Sequence, residues 1–117
     1  MSTTEYALDA GDLIWTDFDP RVGREQSGRR PALVISPRAL WEATRFAIVC
    51  PISTRLRGWG TNVALPAGLP VQGEVLTLQV RSIDTLARPV LSVGARVPVA
   101  MLTEVRARLM PLLGIEF

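Results

Sequence analysis

Most of this chain alternates between short apolar runs and stops made of Pro, Gly or Asp. That pattern predicts strands over the first four-fifths. Leu13-Ile14-Trp15-Thr16-Asp17-Phe18 is opened by Gly11-Asp12 and closed by the turn Asp19-Pro20. It sets Leu13 and Trp15 on one face and Ile14, Thr16 and Phe18 on the other. A polar loop over 20–29 follows, with Gly23 and Gly28 as flexible points. A loop this long in a small domain is commonly functional. Ala32-Leu33-Val34-Ile35, held between Pro31 and Pro37, reads as a buried strand. Arg38 to Ala43 is a short amphipathic segment, and Arg45 to Cys50 is a third strand that ends at Pro51. Pro51 to Gly60 reads as a second loop, Asn62 to Leu65 as a short strand and Pro66 to Pro70 as a turn.

Gly73 to Val80 is the longest strand candidate, with Val75, Thr77 and Gln79 on one face and Leu76, Leu78 and Val80 on the other. Arg81 to Asp84 follows it, and Val90 to Arg96 is the last strand. The period then changes. Pro98 suits a first helical position, and Met101, Leu102, Val105, Leu109, Leu112 and Leu113 fall on one helical face opposite Glu104, Arg106 and Arg108. Gly114 is a natural stop, and Pro111 should kink or loosen the last turn. Five to seven short strands and one C-terminal helix predict a mainly β fold, a small barrel packed by a helix.

The length of 117 residues fits a single domain, 1–117, large enough to bury a core without disulfides or metal. Apolar residues make up 48% and aromatics 6%, so that core is aliphatic. The one cysteine, Cys50, excludes an intrachain disulfide and reads as a small buried hydrophobe. The first ten residues lack the base and apolar region of a signal peptide, and no apolar run is long enough to span a bilayer. A cytoplasmic location is expected.

Charge is unevenly placed. Residues 1–19 carry five acids and no base, whereas residues 20–60 hold eight arginines against Glu25 and Glu42, a net of +6. All 13 basic residues are Arg. Either base composition or function accounts for the absence of Lys, but the clustering suits a nucleic-acid backbone. The chain has no His, which removes the commonest general base and metal ligand and every Ser-His-Asp or Cys-His arrangement. No cofactor and no metal are expected.

Two stretches concentrate the remaining chemistry. In Glu25-Gln26-Ser27-Gly28-Arg29-Arg30-Pro31 two guanidinium forks stand beside a carboxylate where a loop enters a strand. Such a group suits a phosphate, or is an exposed Arg-Glu pair of small energetic worth. Ser53-Thr54-Arg55-Leu56-Arg57-Gly58-Trp59 mixes hydroxyls, arginines and an indole. It suits phosphate contact with base stacking, or Trp59 packs on a neighbouring loop. Arg81 and Asp84 read alone as a salt bridge closing a turn.

Gly11 to Pro20, Gly23 to Pro37, Cys50 to Thr54, Gly58-Trp59 and Gln79 to Asp84, in that order and followed by the amphipathic helix, resemble the MazF/PemK toxin family over about residues 9–114. The resemblance implies an SH3-like barrel of the kind shared with CcdB, assembled as a homodimer. It implies a metal-independent endoribonuclease that cuts single-stranded mRNA at short sequences. Attack of the ribose 2′-OH would leave 2′,3′-cyclic phosphate and 5′-OH ends. The toxin would be held by a MazE-like antitoxin with an acidic C-terminal tail. Arg30 falls on the family's catalytic arginine and Ser53 on its usual threonine. Glu25 is the candidate base or the residue that orients Arg30. Arg29, Gln26, Thr54, Arg55, Arg57, Trp59, Gln79, Arg81 and Asp84 are the candidate RNA contacts or supports. Leu78 stands where many members have an acid; if that carboxylate reads a base, specificity differs here. Two other readings remain. A CcdB-like gyrase poison depends on a C-terminal tryptophan, whereas this chain ends Gly114-Ile115-Glu116-Phe117. A catalytically weak RNA-binding relative is permitted by Ser53 and Leu78.

Overall fold

The computed structural model describes residues 7–18 and 28–116. Its frame is an antiparallel sheet built outward from β1 (Asp12–Asp17), which pairs with β2 (Arg29–Val34) on one side and with the seven-residue β7 (Val90–Arg96) on the other. Between β2 and β7 the chain forms α1 (Arg38–Thr44), β3 (Phe46–Ser53), β4 (Val63–Ala64), β5 (Glu74–Val75), a single 3-10 turn (Thr77–Gln79) and β6 (Arg81–Asp84). Helix α2 (Val99–Leu112) ends the fold. The sheet runs β4-β5-β3-β2-β1-β7, with β6 added to β3. Among the described residues its hydrogen bonding runs from β4 to β7 without closing, so the expected mainly β fold with a C-terminal helix is present as an open sheet.

The imperfect alternation of the strands has a physical cause: both sheet faces are buried. On one face Leu13, Leu33, Cys50, Ile52 and Val75 pack under Met101, Leu102, Val105 and Leu109 of α2. On the other Ile14, Phe18, Ala32, Val34, Val49 and Ile83 pack with Leu8 and with Trp41 of α1. Strands covered on both sides read as continuous apolar runs.

Four expectations are corrected. Arg29 and Arg30 are not in the loop but in β2, opposite Asp17 and Thr16. The hairpin ladder continues past them, since the Phe18 N–H donates to the Gly28 carbonyl at 3.0 Å. Pro51 does not end β3. It pairs with Ala32 where the strand passes from β2 to β5, and its carbonyl accepts from the Leu76 N–H at 2.9 Å. A residue without an N–H is tolerated at such a change of partner.

Residues 73–80 do not form one strand. β5 pairs with Ile52 and Ser53, while β6 pairs with Phe46 to Val49, and the 3-10 turn takes up the offset between them. That turn leaves Leu78 56% exposed. Finally, Leu112 and Leu113 are exposed, because the apolar stripe of α2 outruns the cluster that it covers. Pro111 lies inside the helix, which continues through Leu112. Gly114, at φ 76°, then caps it, with the Ile115 N–H donating to the Met110 carbonyl and the Gly114 N–H to the Pro111 carbonyl.

Candidate active site

Strand alternation gives Arg30, Ser53 and Arg81 one face, while Arg29 and Asp84 alternate onto the other. Arg30 shares the face of Ala32 and Val34 on β2, and Ser53 shares that of Ala47 and Val49 on β3. The ladder between β2 and β3 ends at the pair Ala32–Pro51, so Arg30 and Ser53 each lie two residues beyond it, past the point where β3 turns to β5. Arg81 lies opposite Val49, and its guanidinium carbon sits 5.1 Å from the centroid of the Phe18 ring, a cation–π contact. Arg30 is exposed and Arg81 half-buried, so a rim of positive charge borders the apolar face.

Ser53 is 7% exposed, and its hydroxyl is occupied locally. Its Oγ accepts from the Arg55 N–H at 3.1 Å and donates to the Arg55 carbonyl at 3.3 Å. These bonds fold the chain back at once and leave Thr54 and Arg55 exposed. Gly73 fixes Ser53 from the other side. A Cβ built there, at φ 128°, would meet the Ser53 carbonyl oxygen at 2.1 Å. Only glycine lets the two backbones approach so closely.

The segment after Ser53 is held by groups that the sequence pattern did not single out. Glu74, paired with Ser53 across the β3–β5 ladder, is 6% exposed. Its Oε1 accepts from the Arg57 N–H at 2.7 Å and from Asn62 Nδ2 at 2.9 Å. From α2, Arg108 Nη1 donates to the Gly60 carbonyl and, at 3.1 Å, to the Asn62 carbonyl, while its Nη2 donates to Glu104 Oε1 at 2.9 Å. The Thr77 hydroxyl donates to the Thr61 carbonyl. Between these anchors Trp59 is 38% exposed, with the Arg57 guanidinium carbon 5.2 Å from its ring centroid. The signal available for Glu74 was a carboxylate inside an apolar run, since an acid in a buried strand needs partners.

Gln79 closes the 3-10 turn, where its N–H donates to the Leu76 carbonyl. Asp84 turns the chain after β6: its Oδ1 accepts from the Leu86 N–H at 3.0 Å, and its carbonyl accepts from Ala87 and Arg88. That arrangement differs from the Arg81–Asp84 salt bridge read from the sequence. Glu25 and Gln26 lie outside the described residues.

A model of the family described as PemK-like, MazF-like toxin of type II toxin-antitoxin systems matches residues 9–113. The chain belongs to the MazF/PemK toxin family. Its match begins at Asp9, just before β1, and ends at the close of α2, so it includes every candidate residue named above. The endoribonuclease toxin MazF of Escherichia coli K12 is 38% identical over 111 residues, which is 95% of this chain and 98% of that protein. The crystal structure of MazF from Deinococcus radiodurans superposes with a TM-score of 0.88 at 44% identity, covering 95% of this chain and all of that one. A MazE-MazF structure from the same organism gives a TM-score of 0.82 at 40% identity, covering 96% of this chain and 100% of that one. Of the described residues, no helix is long and apolar enough to cross a membrane.

Proposed function

We propose that this protein is the toxin of a type II toxin–antitoxin module, a single-domain, sequence-specific endoribonuclease that cuts single-stranded mRNA without a metal. What supports it most is that strand alternation gives Arg30, Ser53 and, paired further along β3, Arg81 the same sheet face, in a family whose named relatives are endoribonucleases.

The substrate supplies its own nucleophile. The ribose 2′-oxygen attacks the adjacent phosphorus, the bond from phosphorus to the 5′-oxygen breaks, and the products end in a 2′,3′-cyclic phosphate and a 5′-OH. A proton leaves the 2′-OH and another reaches the departing 5′-oxygen. Glu25 takes the first proton or orients Arg30. Arg30 stays protonated and faces the charge that grows on the phosphorane oxygens, where a fixed donor is most effective. Ser53 holds the turn that presents Thr54 and Arg55, and its hydroxyl lies beside the phosphate. Arg29, Gln26, Arg55, Arg57, Trp59, Gln79, Arg81 and Asp84 bind or support the strand, with Trp59 as a stacking surface. Two copies form the working unit in the cytoplasm. The partner is a MazE-like antitoxin, which the MazE-MazF structure supports, and in this proposal its acidic tail lies over the arginine-rich face. No observation favours the gyrase-poison reading.

The test is incubation of the protein with a long single-stranded RNA in EDTA, with 5′ ends mapped by primer extension. Discrete cuts, lost in Arg30→Ala and reduced in Ser53→Ala, are expected. Folded wild-type protein that binds several RNAs but cuts none would replace this reading with that of a binding-only relative.

A further inference from the structure

We propose that Glu74 is the positioning residue of the loop 55–60 and thereby helps to set which nucleotides are accepted beside the cut. The inference rests on the endoribonuclease reading. Glu74 has a particular place in the fold. Its backbone pairs with Ser53, and its side chain holds the two ends of the segment that carries Trp59. One carboxylate therefore ties the candidate catalytic strand to the candidate base-stacking surface.

The carboxylate is buried, yet no described Arg is ion-paired with it; its bonds are to the Arg57 N–H and the Asn62 amide. Burying a charge is costly, and hydrogen bonds to a charged acceptor are about twice as strong as neutral ones. An acid kept there stiffens what it binds. What it binds is the Arg57 backbone, whose guanidinium lies near Trp59, so the indole is held in a preset attitude before RNA arrives. Arg108 grips the same loop from α2 at Gly60 and Asn62, so the loop is clamped from the sheet and from the helix. Neither Glu74 nor Arg108 is among the residues assigned to the reacting phosphate. Both act through the loop.

Three variants test this: Glu74→Met, which keeps the size and removes the acceptor, Glu74→Gln, which keeps an acceptor oxygen, and Arg108→Met at the protein surface. Each is incubated with a transcript pool in EDTA, the 5′ ends are sequenced, and KM and kcat are measured on one short RNA. Glu74→Met should broaden the bases accepted next to the cut and raise KM about tenfold, the scale of losing one stacked base. Its kcat should stay within about threefold. Glu74→Gln should restore most of the wild-type preference, and Arg108→Met should shift the preference at the same nucleotides.

Trypsin adds a readout that needs no activity. The bonds after Arg55 and Arg57 should be nicked faster in Glu74→Met than in wild type while the rest of the chain stays resistant. An unchanged cleavage pattern with unchanged KM in Glu74→Met overturns the inference, as does a fall in kcat alone at unchanged specificity, which would place Glu74 behind Ser53 instead. If Glu74→Met does not fold, Arg108→Met decides: an unaltered base preference in it rejects the clamp. A wild-type protein that cuts nothing rejects the endoribonuclease reading itself, a different result from cutting that ignores Glu74.

Discussion

Gly73 has no room for a side chain. Its left-handed φ and the 2.1 Å approach to the Ser53 carbonyl combine two costs, so Gly73→Ala should destabilise the fold by about 1–3 kcal/mol or more, read as a fall in thermal midpoint. Because the displaced atom is the Ser53 carbonyl, folded Gly73→Ala should also cut RNA more slowly. Arg30 is the opposite case. It is exposed on β2, so Arg30→Ala should keep stability within about 0.5 kcal/mol, while cleavage falls on the order of 10²–10³-fold, the usual loss for one charge-stabilising donor. Arg30→Lys should recover little, because an ammonium cannot reproduce the planar fork. Cys50 lies within the core, and burial pushes its thiol up to about 12. The thiolate is the reactive form, so Cys50 should resist thiol reagents at pH 8 in the folded protein and react once denaturant is added.

At the scale of elements, α2 divides where its apolar stripe leaves the core. Leu109→Ala should cost about 2–5 kcal/mol, whereas Leu113→Ser, four residues later, should change stability by less than about 0.5 kcal/mol; denaturant titration distinguishes the two. The helix, β1, β7 and the buried part of β2 were legible because local pattern and tertiary role agree there. The 3-10 turn was not. Thr77 and Leu78 alternate like strand residues, but β5 and β6 must pair with different stretches of β3, a demand that arises only once the sheet exists. The same limit explains Pro51, whose meaning depends on the strand beside it. In the candidate site the types of residue were legible, since a chain without His must work with Arg, hydroxyls and carboxylates. Their support was less so. Glu74 acquires significance only when Arg57 and Asn62 are folded against it.

For the whole molecule, Asp9 joins parts that lie far apart in the sequence. Its Oδ1 accepts from the N–H groups of Ala10 and of Arg38 at the start of α1, and its Oδ2 lies 3.8 Å from the Arg96 guanidinium at the end of β7. Burial raises the pKa of this carboxyl, but the two backbone donors and the Arg96 and Arg38 charges together outweigh it and hold the group below its ordinary 3.8. A depressed folded-state pKa means that the unfolded chain binds the proton more readily. The stabilisation is therefore fully present above the unfolded value and is lost as pH falls from about 3.8 through the lower folded value. Asp9→Asn keeps an acceptor oxygen but removes the charge. Its thermal midpoint should lie below that of the wild type at pH 7, and the gap should narrow as pH is lowered below 3.8, the window in which the wild-type carboxylate becomes neutral. A gap that stays constant down to pH 2.5 would mean that size and shape, not charge, hold the segment before β1 to α1 and β7. Since β7 borders β1 and β1 carries the hairpin partner of Arg30, loosening at Asp9 should reach the candidate site only when the sheet itself begins to open. Cleavage by Asp9→Asn at pH 7 and 25 °C should accordingly match that of the wild type, and diverge only near the variant's lower midpoint.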